Sequence, residues 1–177
     1  YSGAWTALKL VTDICDGGGT LEVSPQRCRT QEPELLIDGE LYRKRMDPLL
    51  IVPISLSLEK ELHQRRLLAA ETFSRVNRFN TIKVRHANDR LGIVAAGKSY
   101  YDLMSALTSL GLGANELEQA GVRILKLAMV YPLEPAIIEE FVAGLDEVLV
   151  IEEKRSFIEL QLREMLYNHA SRPAIYG

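Results

Sequence analysis

The stretch that decides the fold of this chain is residues 91–99, which read Leu91-Gly92-Ile93-Val94-Ala95-Ala96-Gly97-Lys98-Ser99. From 91 to 96 the residues are small or apolar without interruption, a pattern typical of a strand covered on both faces of a sheet. A helix is predicted to follow over 99–110, where apolar residues recur at helical spacing. A buried strand that leads into a helix is the repeating unit of α/β proteins.

The same stretch matches the phosphate-loop pattern G-x-x-x-x-G-K-[ST] over 92–99. In a phosphate loop an apolar strand precedes the first glycine, and the variable residues form a bend whose amides point at phosphate. Here residues 85–90 are polar, and the apolar run lies where the bend would be. The order favours an interior strand at 93–96, with Ser99 as the N-cap of the next helix and Asp102 as its S-x-x-D partner. A free-standing nucleotide-binding module that uses 92–99 as a phosphate loop is the alternative function.

The strand-helix unit repeats along the rest of the chain. Strands are predicted at 122–129 and 148–151, and 174–176 begins a further strand. Helices are predicted after Pro135 and over 156–168. Alternating strands and helices of this length predict an α/β layer structure with a mainly parallel sheet and right-handed crossovers.

Four segments precede this pattern. An amphipathic helix is predicted over 3–15, ended by Asp16 and three glycines, and a short strand over 20–23. The next segment, 24–56, is rich in proline and irregular, and loops of such length are uncommon inside compact domains. We expect it to be a connector that lies over the surface or against a neighbouring domain. A long amphipathic helix follows over 57–79.

Composition excludes several classes of protein. The chain has 177 residues, 24 acidic and 21 basic side chains and a net charge of −3, which argues against a nucleic-acid binder. The share of apolar residues is 47% and that of charged residues 25%, as in globular proteins. No apolar run approaches the roughly 18 residues that a membrane span needs. We expect a soluble, cytoplasmic protein without nucleic-acid or membrane partners and, because the sequence opens at Tyr1, a fragment of a longer one.

The residues show no complete catalytic constellation. Cys15 and Cys28 match neither a disulfide framework nor a metal or iron–sulfur ligand set. His63, His86 and His169 lie far apart and have no ligand spacing. The G-x-S-x-G nucleophile pattern is absent from the sequence. The sequence therefore predicts no catalytic, cofactor-binding or metal-binding residues in this chain.

Polar and aromatic residues collect where the predicted strands end. In open α/β sheets, ligands and partners bind at the carboxyl ends of the strands, an edge called the carboxyl edge below. The candidate functional residues there are Lys98, Tyr131, Glu152, Glu153, Lys154 and Arg155. Two interpretations of the charged run at 152–155 stay open. It is a solvated strand end followed by a helix start, with Ser156 and Glu159 as the capping pair, or it is an interdomain salt-bridge patch.

Three motifs carry a resemblance to a known family: 91–98, Tyr131-Pro132-Leu133-Glu134, and above all 150–159 with its Glu-Glu-Lys-Arg run. With them the chain resembles the indolepyruvate ferredoxin oxidoreductases, members of the 2-oxoacid:ferredoxin oxidoreductases, and more closely their fused form, in which several domains share one polypeptide. Residues 1–9 resemble the last helix of the pyrimidine-binding thiamine diphosphate domain. The resemblance assigns 1–19 to that helix and 20–177 to a transketolase C-terminal-like domain that includes the connector 24–56.

The resemblance implies a fold and a parent reaction. The fold is a three-layer α/β/α unit with a five-stranded, mainly parallel sheet. The parent would decarboxylate an aryl 2-oxoacid oxidatively on thiamine diphosphate and magnesium, pass electrons through [4Fe-4S] clusters to ferredoxin, and transfer the acyl group to coenzyme A. The thiamine diphosphate signature and the cluster cysteines are not in this sequence, so the fragment alone is expected to be inactive. Its implied role is to brace other domains of the same polypeptide in a homodimeric parent.

Overall fold

The computed structural model describes residues 1–10, 12–27, 29–46, 48–170 and 172–177. These residues divide into two compact units, Tyr1–Asn77 and Arg78–Gly177, called the first and second unit below. The assignment of 1–19 to a preceding thiamine-binding domain and of 20–177 to the next domain stays a prediction. Cys28 lies outside the described residues. Within the described part of the chain, every helix is too short or too polar to cross a membrane.

The first unit is built around one long helical segment. Helix α1 (Thr12–Cys15) and the antiparallel strands β1 (Leu36–Ile37) and β2 (Glu40–Leu41) precede it. The segment consists of α2 (Ile54–Glu61), a π-helical turn (Leu62–Arg66) and α3 (Leu67–Val76), which confirms the helix predicted at 57–79 with both ends about a turn earlier. Outside the hairpin, most of the predicted connector 24–56 is irregular.

Two predictions for the first unit are wrong. Among the described residues of 3–15 the helix forms only at Thr12–Cys15, and residues 20–23 have no regular structure. Trp5 and Leu8, which belong to the expected apolar face, are exposed. A helix of this length is marginal in water without tertiary packing, and a strand needs a partner to pair with. The helical spacing of Ala4, Ala7 and Leu8 therefore does not by itself produce a helix at 3–10.

The second unit contains a five-stranded mixed sheet, which confirms the predicted fold class. Its strands are β3 (Thr81–Val84), β4 (Leu91–Ala96), β5 (Val122–Leu127), β6 (Glu147–Ile151) and β7 (Ala174–Tyr176). The order across the sheet is β3-β5-β4-β6-β7. Strands β4 to β7 run parallel, and β3 pairs antiparallel with β5 at one edge.

Helices cover both faces of this sheet and complete a three-layer α/β/α unit. Helices α4 (Gly97–Ser109) and α5 (Ala114–Ala120) lie on one face, and α6 (Pro135–Val142) and α7 (Ile158–Leu166) lie on the other. Alternation along β4 sends Ile93 to the first face and Val94 to the second, and both are buried. The four later strands and α4, α6 and α7 agree with the sequence predictions to within two residues at most ends.

Strand β3 and helix α5 were not predicted. The four residues of β3 include the exposed Lys83 and resemble a loop unless the antiparallel partner β5 is known. Helix α5 has seven residues and begins after Gly113, whose backbone N–H donates to the Glu116 carboxylate at 3.0 Å. Both elements are too short for periodicity to identify.

Candidate functional site

The structure contradicts the phosphate-loop alternative at 92–99. Residues 91–96 are a strand paired with both β5 and β6, so their amides lie in the sheet and form no bend around a ligand. A Cβ at Gly92 would lie 2.7 Å from Phe141 Cζ and 2.6 Å from Leu145 Cδ1. The glycine is therefore required because α6 and the residues after it pack closely on the strand, not because a phosphate approaches the backbone.

The predicted N-cap at Ser99 is also wrong. Gly97 has a φ of +54°, which glycine adopts easily, and the chain turns from strand to helix at this residue. Ser99 therefore already lies inside the first turn of α4. The Asp102 carboxylate accepts hydrogen bonds from Lys98 Nζ at 2.5 and 2.6 Å, so Lys98 is in an ion pair on the surface of its own helix.

The structure places all six candidate residues at the carboxyl edge of the second unit. Lys98 follows β4, Tyr131 follows β5, and residues 152–155 follow β6. Tyr131 is 55% exposed, and its ring centroid lies 6.2 Å from that of Phe157, which is 48% exposed. Phe157 is not among the residues predicted from sequence, because its proximity to Tyr131 depends on how the loops after β5 and β6 meet.

Glu152 has a different environment from the three residues that follow it. Its carboxylate accepts hydrogen bonds from the backbone N–H groups of Phe157, Ile158 and Glu159 at 2.9 to 3.2 Å. A carboxylate in this position satisfies unpaired amides of the helix start and interacts favourably with the positive end of the α7 dipole. Glu152 therefore closes the loop 152–157 on itself, whereas Glu153, Lys154 and Arg155 are exposed.

The predicted pair Ser156 and Glu159 makes a contact, but not as a backbone cap. Ser156 Oγ donates to Glu159 Oε2 at 2.6 Å, while the residue at the N-cap position is Phe157. Arg163 donates to Glu159 Oε1 at 2.8 Å and to the Ile175 carbonyl at 2.6 Å. The hydrogen bond from Ser156, and then that from Arg163, lower the pKa of Glu159. The backbone cap comes instead from Glu152, on the strand side of the loop.

Two further side chains hold the loop after β5. Glu134 is buried and caps α6 by accepting hydrogen bonds from the backbone N–H groups of Ala136 at 2.9 Å and Ile137 at 2.8 Å. Gln161 Nε2 donates to the Val130 carbonyl at 3.0 Å and to the Phe157 carbonyl at 3.2 Å. The Gln161 side chain therefore connects the loop after β5 with the loop after β6.

An aromatic and basic cluster lies beside this edge, on the face covered by α4. Lys126 Nζ donates to Tyr101 Oη at 2.8 Å and lies 4.8 Å from the Tyr100 ring centroid. The hydrogen bond from Lys126 lowers the pKa of Tyr101, and the positive charges of Lys126 and Lys83 act in the same direction. No sequence signal joins these residues, because Tyr101 and Lys126 lie on different elements.

The buried charged groups at the opposite end of the sheet have structural partners. Arg123 Nε donates to Asp89 Oδ2 at 3.1 Å, and its Nη1 donates to the carbonyls of Phe141 at 2.6 Å and Ala143 at 2.9 Å. Asp89 also accepts from the His86 backbone N–H at 2.8 Å. Arg123 therefore satisfies carbonyls at the C-terminal end of α6.

The donor groups of the chain do not assemble a metal centre in the described part. No three His, Cys, Asp or Glu side chains among the described residues lie close enough together to hold a metal ion. Cys15 is exposed and not in a disulfide, His86 contacts Asp89, and His63 and His169 are exposed. These residues do not fit an iron–sulfur cluster, and we assign no chemical step to such a group in this chain.

The second unit is an open-sheet α/β domain in which Glu134 and Glu152, after strands β5 and β6, cap the helices that follow. A family model described as "Indolepyruvate oxidoreductase domain" matches residues 81–177, which is more than half of the chain and includes the whole five-stranded sheet. The chain belongs to this family. The resemblance based on the motifs at 91–98, 131–134 and 150–159 is thereby confirmed.

Similar proteins are named "Indolepyruvate oxidoreductase subunit IorA". That of Methanothermobacter marburgensis is 24% identical over 170 residues, 96% of this chain and 25% of the relative. That of Methanothermobacter thermautotrophicus is 32% identical over 163 residues, 88% of this chain and 23% of the relative. That of Thermococcus kodakarensis is 26% identical over 147 residues, 83% of this chain and 20% of the relative. The chain thus spans about a quarter or less of the relatives it matches.

Two solved structures are also similar, at 19% identity and a TM-score of 0.44 each. One is a split-gene transketolase in an inactive beta4 tetramer, for which the match covers 55% of this chain and 31% of that chain. The other is the 2-oxoglutarate:ferredoxin oxidoreductase from Magnetococcus marinus with 2-oxoglutarate, coenzyme A and succinyl-CoA bound, with 70% and 20% covered.

Proposed function

We propose that this chain is an accessory domain of a thiamine diphosphate-dependent indolepyruvate ferredoxin oxidoreductase. The observation that carries the proposal is the family match over 81–177, supported by relatives about four times as long that carry the indolepyruvate oxidoreductase name. In this proposal the parent decarboxylates an aryl 2-oxoacid oxidatively, with thiamine diphosphate, magnesium, [4Fe-4S] clusters and coenzyme A bound by other parts. Ferredoxin accepts the electrons of a homodimeric, cytoplasmic parent.

An accessory role agrees with the structural hydrogen bonds made by the buried carboxylates of the second unit. Glu134 caps α6, Glu159 is bonded to Ser156 and Arg163, and Asp89 is paired with Arg123. Each of these contacts stabilises a helix end or a loop. The proposal therefore gives the chain the task of bracing neighbouring domains rather than performing the reaction.

The surface proposed to meet those domains is the carboxyl edge. The candidate residues follow strands β4, β5 and β6 at one end of the sheet, and they are Lys98, Tyr131, Glu152, Glu153, Lys154 and Arg155. Partner surfaces in open α/β sheets concentrate at this end. Lys98 and Glu152 make hydrogen bonds within the unit, and the direct contacts are assigned to Tyr131, Glu153, Lys154 and Arg155 because these four residues are exposed.

The first unit is proposed to contribute a second contact. Four consecutive apolar residues, Leu49, Leu50, Ile51 and Val52, are between 52% and 78% exposed. Contiguous exposed apolar surface of this kind marks an interaction site in a soluble protein. We propose that the connector 24–56 lies against another domain of the same polypeptide and that 1–19 completes a preceding thiamine-binding domain.

The proposal is tested on the parent polypeptide. Its coding DNA should contain thiamine-binding and cysteine-rich regions beside this segment. The purified parent should reduce ferredoxin with indolepyruvate and coenzyme A. Immediate start and stop codons, or a parent active only on an unrelated substrate class, would refute the proposal.

Assembly gives a second test. Charge reversal by Glu153→Lys or Arg155→Glu should weaken assembly of the parent, seen by size-exclusion chromatography with light scattering. The chain produced alone should keep its circular dichroism spectrum and melting temperature in both variants. Unchanged assembly of the parent would remove Glu153 and Arg155 from the proposed contact.

A further inference from the structure

We infer that Tyr131, Lys154, Arg155 and Phe157 form one contact surface for an acidic segment that also carries an apolar side chain. The inference rests on the proposed function, because it names the chemistry of the neighbour that the carboxyl edge would meet. It adds Phe157 to that edge and separates the residues that touch the partner from the residues that position them. These four residues are called the contact surface below.

The aromatic half of the contact surface is exposed although its rings are close to each other. The centroids of Tyr131 and Phe157 are 6.2 Å apart with an interplanar angle of 49°, and the side chains are 55% and 48% exposed. Two half-exposed rings side by side bury further apolar area when a third apolar group covers them. Aromatic residues and arginine are also enriched among the residues that dominate binding energy at interfaces.

The basic half determines the charge of the partner. Lys154 and Arg155 are exposed and make no hydrogen bond or ion pair within the described part of the chain. The Glu152 carboxylate binds backbone N–H groups at the start of α7, and the partial positive charge of that helix end offsets part of its negative charge. Glu153 is assigned to a basic group of the neighbouring domain, as in the assembly test above, and residues 153–155 together carry one negative and two positive side chains. Carboxylates are the complementary groups, and arginine binds them with two parallel hydrogen bonds.

The two halves are held in place by Glu152 and Gln161. Glu152 closes the loop that presents the cations by binding three consecutive amides at 157–159. Gln161 fixes the aromatic half through the carbonyls of Val130 and Phe157. Holding the contact residues in place before binding lowers the entropy cost of association. Glu152 and Gln161 are therefore positioning residues.

The first experiment titrates the isotopically labelled full chain with short synthetic peptides, followed by NMR. The probe contains glutamates around one phenylalanine, and the controls replace phenylalanine with serine or glutamate with lysine. We expect shifts at 130–131 and 153–158 with the probe, and about tenfold weaker binding in Arg155→Glu or Tyr131→Ala. The control variant Glu164→Gln, on the exposed side of α7, should bind the peptide as tightly as the unsubstituted chain does. Equal binding of the lysine peptide, or shifts confined to other residues, would overturn the inference.

The second experiment tests positioning. Glu152→Gln should speed hydrogen exchange of the amides at 157–159 and also weaken binding of the acidic peptide by about threefold to tenfold. A purely structural role would change exchange but not peptide affinity, and that result would remove Glu152 from the inference. If the peptide binds as expected but the parent lacks thiamine-binding regions, the contact surface stands and the proposed function fails. If the parent is the proposed enzyme and the peptide does not bind, the inference fails alone.

Discussion

Arg123 and Asp89 form an ion pair inside the second unit, with the guanidinium Nε 3.1 Å from the carboxylate and side chains 5% and 0% exposed. Asp89 precedes β4, and Arg123 lies at the start of β5. The arginine also satisfies carbonyls at the end of α6, so one side chain connects a loop, a strand and a helix. The pair lies at the end of the sheet opposite the contact surface.

Removing one member of this pair should destabilise the second unit strongly. Asp89→Ala leaves a buried guanidinium without its carboxylate, and such a change costs about 3–5 kcal/mol of unfolding free energy. Urea unfolding of the full chain measures the loss. In a double variant with Arg123→Met, the loss should be smaller than the sum of the two single losses. Additive losses would show that the two side chains do not interact in solution.

Gly92→Ala should destabilise the chain through packing. The new Cβ would overlap Phe141 and Leu145, and overpacking of this kind costs about 1–3 kcal/mol. Gly18→Ala is the matched control, because no atom lies within 4 Å of a Cβ at that position. Adding Phe141→Leu should recover part of the lost melting temperature. Lack of any recovery would argue that the glycine is needed for another reason.

Nucleotides should not stabilise the chain. Residues 93–96 are paired within the sheet, and Lys98 is bonded to Asp102, so neither is arranged to hold phosphate. Thermal unfolding with Mg-ATP or Mg-GTP should match unfolding without nucleotide. The Lys98→Ala variant should behave in the same way. A stabilising shift that disappears in Lys98→Ala would contradict this prediction.

Stability should fall on the acid side partly because of Glu159. Its folded-state pKa is lowered, first by the hydrogen bond from Ser156 and then by that from Arg163. A lowered pKa contributes stability above the unfolded-state pKa, and this contribution is lost as pH falls through the folded-state value. The difference in unfolding free energy between neutral and acid pH should therefore be smaller in Glu159→Gln. In the control variant Glu164→Gln, the difference in unfolding free energy should equal that of the unsubstituted chain. Equal differences in the unsubstituted chain and both variants would contradict a contribution from Glu159.

Tyr101 should ionise at lower pH than an ordinary tyrosine. The hydrogen bond from Lys126 is the main cause of its lowered pKa. Lys126→Met should return the pKa of Tyr101 toward the ordinary value, followed by tyrosinate absorbance in a pH titration. Tyr101→Phe assigns the signal by removing it. An unchanged titration in Lys126→Met would show that the contact with Tyr101 is not kept in solution.

Most of the second unit could be predicted from sequence, because its signals are local. The apolar run at 91–96 and the stretch 122–127, which is rich in Val, Ile and Leu, mark strands with or without knowledge of their neighbours. The proline at 135 marks the start of α6 in the same way. Strand β3 was missed because its four residues become a strand only by pairing with β5. Residues 3–10 form no helix, and Trp5 and Leu8 are exposed, so burial of these side chains does not stabilise a helix there.

The candidate site was predicted in part. The location of Lys98, Tyr131 and 152–155 at one edge followed from the rule that parallel strands end together. Their roles did not follow, since the sequence does not reveal that Glu152 binds the amides at 157–159 while Lys154 and Arg155 stay exposed. Phe157 was missed because its contact with Tyr131 joins two loops that are far apart in sequence.

By itself, the sequence determined that this chain is an α/β protein with its charged and aromatic residues at the ends of buried strands. Hydrophobic periodicity and the turn-forming residues glycine and proline carry that information, and both act over a few residues. Only the tertiary structure decided the strand order, the need for glycine at 92 and the division of the carboxyl edge into positioning and exposed groups. Those features depend on atoms that meet across loops and helices, and the partner of a hydrogen bond cannot be read from the identity of its donor.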